Sequence, residues 1–355
     1  MAYTDIDDSS SAFQCKTYTG NGSTNNITLD GNSNLQPDWV WIKDTGQSGY
    51  NHNIFDSVRG ATKLIWSNLT NAEGTYSNSL TSFNSDGFTL GADSNGEANG
   101  NSNSYVSWNW KAGGSGSSNS NGNITSTVSA NTTAGFSVVT YSGNGSAGST
   151  VGHGLGSAAN LLIVKKRSST AQWVYGSTGL DSSWDNFLFL DSTSAKGNAD
   201  NVFNDTAPTS SVFSIGNAGD TNASGQTYVA YCFAEKQGYS KFGSYTGNGN
   251  VDGTFVYTGF KPAFVLCKLT SGAGYGWTLF DNKRIGFNEL NYTLQPDGNA
   301  AQNTGGGNGR IDILSNGFKL RTTDAGINGS GSEYTYMAFA ENPFTTSTGV
   351  PATAR

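Results

Sequence analysis

The chain spells one short theme three times: YTGNGS from Tyr18, YSGNGS from Tyr141 and YTGNGN from Tyr245. Tyr18 and Tyr141 lie 123 residues apart, and so do Tyr105 and Tyr228 further on; Tyr141 to Tyr245 spans 104 residues and Tyr228 to Tyr334 spans 106. The repetition therefore covers whole domains rather than a motif. Four further blocks recur in the same order. An apolar run closed by lysine comes first (PDWVWIK to Lys43, ANLLIVK to Lys165, PAFVLCK to Lys268), then an aromatic segment (NIFDSVR, QWVYGST, WTLFDNKR). SDGFTLG, SSVFSIG and SNGFKLR follow, and each repeat ends on an aromatic strand, YVSWNWK, YVAYCFAE or YTYMAFAE. Units of roughly 100 residues are too long for a solenoid and have the size of an independent β-sandwich.

Local patterning supports strands. Charged residues make up only 13% of the chain and glycine accounts for 48 positions, so surface polarity comes from Ser, Thr, Asn and Gly, which disfavour helix interiors and supply turns. The lysine-ended runs are apolar at consecutive positions, as in Val40-Trp41-Ile42, which predicts strands buried on both faces. The expected fold is all-β, with three tandem β-sandwich domains of jelly-roll or concanavalin-like type. They are placed at residues 1–111, 124–236 and 237–344, with a flexible Gly/Ser/Asn linker at 112–123 and a C-terminal tail at 345–355. The second junction, EKQGYSKFGSY, is shorter, so repeats 2 and 3 are expected to be coupled more rigidly than repeats 1 and 2.

Several chemistries are disfavoured. A formal charge of −7 opposes nucleic-acid binding, which needs clustered Lys and Arg. GNGSAG from Gly143 fits GxGxxG, but no helix pattern follows it and Lys165 stands where a ribose-binding acid belongs, so it reads as a turn. His52 and His153 are the only imidazoles and occupy unlike places, and no nucleophile motif accompanies either. Glu235 and Glu341 are equivalent, but repeat 1 has Ala112 there, so no carboxylate pair recurs. Cys15, Cys232 and Cys267 have no metal or disulfide spacing. Asp93, Asp220 and Asp324, each followed closely by asparagine, could supply oxygen ligands to calcium, yet they read more simply as turn formers. No cofactor, metal or catalytic residue is expected. No apolar run reaches the ~20 residues of a membrane span. MAYTDIDDSSSAF lacks a signal pattern, so synthesis in the host cytoplasm is expected.

The candidate contact residues are few. Asp56 and Arg59 in FDSVRG match Asp281 and Arg284 in FDNKRI, while repeat 2 has Ser177 and Leu180; the pairs read as local salt bridges with a secondary candidacy for ligand contact. Trp39 and Trp41 align with Leu161, Ile163, Phe264 and Leu266 and are core, whereas Trp184 has no apolar counterpart and is the candidate exposed tryptophan. The repeats differ most at residues 70–81, 191–209 and 294–310, loops expected to meet neighbouring subunits or host glycans.

HNIFDSVRGATKLIWSN, SFNSDGFTLG, VGHGLG, TYVAYCFAE, SKFGSYTGNG, VYTGFKPAFVL and ILSNGFKLR together resemble the repeated domains of structural proteins of marine bacteriophages, tail-fibre-like or concanavalin-like. The likeness runs from about residue 12 to 344; Asn109 departs from it, standing where cysteine is favoured. It implies lectin-like or jelly-roll sandwiches and a place in the virion, as a tail fibre or spike component or a head decoration protein that adheres to the host or stabilises the particle. The implied partners are other virion proteins and host surface glycans, and a homotrimer is expected. The competing expectation is a depolymerase of host surface polysaccharide.

Overall fold

A computed structural model of the chain describes residues 4, 6–93, 95–305 and 309–340. The expected C-terminal tail at 345–355, Glu341 and part of the 294–310 loop lie outside these. The fold is all-β, built from several sheets whose ladders run antiparallel among the described residues. Each repeat contributes one large sheet in which the same four strands lie side by side. A first strand (Phe13–Thr19, Phe136–Ser142, Ser240–Thr246) pairs with the closing strand (Ser104–Trp110, Thr227–Phe233, Glu333–Ala340). The closing strand pairs in turn with the lysine-ended strand (Trp39–Asp44, Leu161–Lys166, Pro262–Leu269), and that one with the aromatic strand (Asn53–Asp56, Trp173–Ser177, Thr278–Asp281). The two ends of each repeat are thus neighbours in one sheet.

A smaller sheet covers one face of each large one: Asn25–Ile27 with Leu80–Asn84 and Gly87–Leu90, Ser149–Gly152 with Val212–Ile215, and Phe255–Tyr257 with Ile311–Leu314 and Gly317–Leu320. Alternation along the lysine-ended strand sorts its side chains between the two faces. In repeat 1, Val40 and Ile42 pack under the small sheet with Ile27, Phe88 and Leu90. In repeat 2, Leu162 and Val164 do the same with Val151, Phe213 and Ile215.

The opposite faces meet one another. Trp39, Trp41 and Trp110 of repeat 1, Phe136, Ile163, Tyr231 and Phe233 of repeat 2, and Phe264, Leu266 and Phe339 of repeat 3 belong to one continuous core. Ring centroids lie 4.5 Å apart for Trp39 and Tyr231, 5.5 Å for Trp110 and Phe264, and 5.6 Å for Phe233 and Phe339. Consecutive apolar residues did forecast two buried faces, but the second is buried against sister repeats. Three sheets thus surround a common aromatic centre.

Residues 112–123 differ from the expected flexible linker. Asp38 Oδ2 accepts from the Ala112 and Gly114 amides, and Ser129 Oγ accepts from the Gly113 amide. Ser117–Asn119 then forms a strand paired with Ser126–Asn131 at the edge of repeat 2's large sheet. A Gly/Ser-rich composition leaves a segment free to extend, and here a neighbouring sheet edge offers it backbone partners. Repeats 1 and 2 are consequently joined by a bonded segment rather than a free one.

Candidate functional site

The thrice-repeated theme encloses a buried asparagine supplied from about 80 residues away. Asn99, Asn222 and Asn328 are fully buried just before the closing strands. Each side-chain amide donates to a loop carbonyl (Ser23, Ser146 or Asn250) and to a second carbonyl (Gly91, Gly216 or Thr322), at 2.6–2.9 Å. Each Oδ1 accepts from the backbone amide of the motif asparagine, Asn21, Asn144 or Asn248. That motif asparagine also caps its own turn, its Oδ1 accepting from the amide two residues on.

The two glycines have separate reasons. At Gly20, Gly143 and Gly247 a side chain would collide with the backbone beside the buried asparagine. Gly22, Gly145 and Gly249 take φ of 63°, 75° and 66°, where L side chains are strained. The motif tyrosine stacks on the closing-strand tyrosine at 4.9–5.1 Å and donates to the Ala98, Thr221 or Ile327 carbonyl. The dinucleotide reading falls here, because Gly148 leads into strand Ser149–Gly152 instead of a helix.

The candidate Asp–Arg pairs lie at the seams between repeats. Asp56 and Arg59 form an ion pair with no side-chain exposure, and Tyr231 of repeat 2 donates to Asp56 Oδ2 at 2.8 Å. Asp281 and Arg284 form the equivalent pair at 2.6 Å, and Trp108 of repeat 1 donates its indole N–H to Asp281 at 3.3 Å. Trp108 and Tyr231 occupy equivalent closing-strand positions, whose third member is Met337. Met337 has no donor, and the seam it belongs to holds Ser177 and Leu180, with Ser177 Oγ 3.4 Å from Thr335 Oγ1. An acid–cation pair is thus present where the next closing strand brings a polar ring and absent where it brings a thioether.

A second ring of contacts closes in the same rotational sense. Trp173 of repeat 2 donates to the Trp66 carbonyl of repeat 1 (2.8 Å), and Trp277 of repeat 3 to the Phe189 carbonyl of repeat 2 (2.9 Å). The equivalent residue in repeat 1 is His52, whose Nδ1 accepts from Trp41 Nε1 at 3.1 Å. The His52 ring lies near the Gln295 backbone of repeat 3, and its Nε2 makes no hydrogen bond. Burial, with Lys43 and Arg284 adding to it, holds the His52 pKa well below the ordinary imidazole range.

The variable loops join this closure. Thr70 and Glu73 contact Ala171, Lys165 and Arg167 of repeat 2; the Thr193 carbonyl and Lys196 amide bond repeat 3; Pro296, Asn299 and Gln302 bond Ser67, Gly49 and Thr45 of repeat 1. Glu73 accepts from both Arg59 and Arg167, which together outweigh its desolvation and lower its pKa. These loops do make repeat-specific contacts, and the partners observed are sister repeats of the same chain. Within 191–209, Val202 and Phe203 belong to repeat 2's core, so this segment is partly internal.

The lysines that end the apolar strands are also internal. Lys43, Lys165 and Lys268 are fully buried, and each Nζ donates to a backbone carbonyl: Asp44 at 2.8 Å, Thr70 at 2.9 Å and Leu269 at 2.9 Å. Desolvation, only partly offset by nearby acids, brings each pKa down to about 8. Their recurrence was legible in the sequence; their burial was not, since a terminal lysine ordinarily points to water.

Trp184 is not exposed. It is 1% exposed and packs edge-on to Phe203 at 5.3 Å. Copies 1 and 3 carry Phe55 and Phe280 at the strand position where repeat 2 has Gly176, and the rings of Trp184 and Phe203 fill the space over that glycine. A left-handed backbone at Trp184 (φ 66°) accompanies this placement. The glycine opposite two phenylalanines was the available signal.

The remaining polar candidates serve turns. Asp93 Oδ2 accepts the Ala98 and Asn99 amides, Asp324 caps the Ala325–Asn328 helix, and no acid, His or Cys cluster suited to a metal occurs among the described residues. His153 accepts the Leu155 amide at 3.2 Å and reaches the Thr209 carbonyl at 3.1 Å. Glu235 pairs with Lys241 at 2.5 Å.

What the sequence reading missed lies outside. Among the described residues the exposed large apolar side chains are Val251, Phe255, Tyr257, Tyr275 and Phe287, all in repeat 3.

A family model described as a domain of unknown function (DUF7483) matches residues 8–343 in one span across all three repeats. No curated protein matches, and no solved structure matches.

Proposed function

The chain belongs to the DUF7483 family, a domain of unknown function, and on that premise we propose that it is a structural and adhesive building block of a bacteriophage particle. Its three lobes are read as β-sandwiches of jelly-roll or concanavalin-like type, displayed on the virion as part of a tail fibre or spike or as a head decoration. The observation that carries the reading is where the polar chemistry goes. The Asp–Arg pairs with Tyr231 and Trp108, the Trp173 and Trp277 indoles and Lys165 hold the repeats to one another, while the Tyr-Gly-Asn-Gly theme, Lys43 and Lys268 are engaged within their own repeats. Such a molecule is suited to being a rigid, closed spacer whose outer faces meet other virion proteins and host surface glycans. The threefold closure expected of a homotrimer is made here by three repeats of one chain, so association between chains is proposed to use those outer faces. Mass spectrometry of purified virions tests the reading: the polypeptide should co-purify in stoichiometric amount, and its absence from intact particles would remove the proposal.

A further inference from the structure

We propose that the outer face of repeat 3's small sheet is a binding platform for a neutral sugar chain, with Phe255 and Tyr257 as its stacking rings. The proposal rests on the adhesive reading above and assigns it to one surface. Among the described residues of three equivalent lobes, exposed large apolar side chains are confined to one lobe. Phe255 is 43% exposed and Tyr257 60%, with Val251 in the adjoining turn at 61%. The corresponding strand positions hold Asn26 and Thr28 in repeat 1 and Thr150 and Gly152 in repeat 2. Repeat 2's strand is also covered by its own chain, since Thr150 and Gly152 bond Asn123, Ile124 and Ser126. In repeat 3 the strand Phe255–Tyr257 is covered by no such segment among the described residues.

The two rings share one face, being two residues apart on a strand, so their Cα atoms stand about 7 Å apart. Val256 between them points into the core, 5% exposed. Phe255 pairs across the strand with Lys319 and Tyr257 with Gly317, and the Phe255 ring lies over that glycine. The result is a shallow floor bearing two aromatic groups with no side chain between them.

The charges around this floor cancel. Lys319 pairs with Asp252 at 2.7 Å, and Arg321 with Asp312 at 3.1 Å and Asp252 at 3.7 Å. A strongly anionic or cationic ligand finds no unmatched field here, so the complementary partner is uncharged. A pyranose ring supplies what is left to match: a C–H face for the electron-rich aromatic faces, and hydroxyls for the exposed Asp252 carboxylate and the Lys319 ammonium at the rim.

The test is equilibrium binding of the full chain to dextran, laminarin and galactomannan as neutral probes and to alginate as an anionic one, beside F255A/Y257A and the off-sheet variant Y275A. The wild type should bind at least one neutral polymer, Y275A should match it, and F255A/Y257A should bind at least tenfold more weakly with an unchanged melting temperature. Binding by F255A/Y257A equal to wild type would overturn the platform and leave the adhesive reading intact. Wild-type binding to alginate alone, or to none of the four, would overturn the platform; detection in virions reports separately on the structural reading. A loss of particle incorporation in F255A/Y257A with unaltered glycan binding would assign the face to a protein partner and also overturn it.

Discussion

Asn222 shows how much of the motif was readable from single residues. Two glycines around an asparagine announce a turn, and Gly145 does supply the positive φ. The reason for the turn's conservation of form across three repeats is the buried Asn222 it encloses, 78 residues away, and non-local pairing leaves no periodicity in the sequence. Asn222→Ala would strand the Gly216 and Ser146 carbonyls and the Asn144 amide, so it should cost about 3 kcal/mol or more, read as a lowered urea midpoint. Asn99→Ala and Asn328→Ala should cost similar amounts, and a loss below about 1 kcal/mol would assign the bonds little weight.

The buried lysines make a residue-scale statement about pH. Their pKa of about 8 in the folded chain lies below the 10.5 of an unfolded lysine, so between these values the unfolded chain binds more protons and stability rises with pH. Each lysine adds at most about 1.4 kcal/mol per pH unit. Cys232 and Cys267, pushed up by burial from 9.0, oppose this slope above that value, and the buried tyrosines, pushed up from 10.0, reverse it. Stability measured by urea unfolding should therefore climb from pH 7.5 to about 9 and fall beyond 10, and Lys165→Met should flatten the climb. A monotonic fall from pH 7.5 would contradict the burial of these ammonium groups.

At the scale of elements, the strands of each large sheet coincide with blocks that the sequence displays openly, whereas their order in the sheet and the seams between repeats do not follow from it. Asp56 and Arg59 were read as a local salt bridge, which they form; the Tyr231 hydroxyl that completes the group comes from another repeat and could not be read from spacing. The third seam suggests how the group can be replaced. Tyr231→Met alone should be mild, while Arg59→Leu alone leaves a buried, unpaired carboxylate and should cost about 3–5 kcal/mol. The triple change D56S/R59L/Y231M installs the set already present at Ser177, Leu180 and Met337, and should recover most of that loss in thermal melts. Additive losses across the three substitutions would show that the seams are not interchangeable. Trp184 illustrates the opposite case, in which a missing side chain, Gly176, was the clue and an unaligned tryptophan was its filler.

For the whole molecule, repeat length predicted three sandwich-sized domains with a flexible linker between the first two, because a unit of about 100 residues can bury a core of its own. What length cannot reveal is that each large sheet has a second apolar face. Trp39, Phe233 and Phe339 belong to a core that no single repeat could hide from water. The three repeats, closed 1 to 2 to 3 and back to 1, should therefore unfold as one cooperative body. Differential scanning calorimetry of the intact chain and of Trp173→Ala, which removes one seam bond to Trp66 and part of the common core, tests it most directly. A single transition is expected in both, displaced as a whole to lower temperature in the variant. A variant trace in which only part of the heat moves, while the remainder melts at the original temperature, would contradict it.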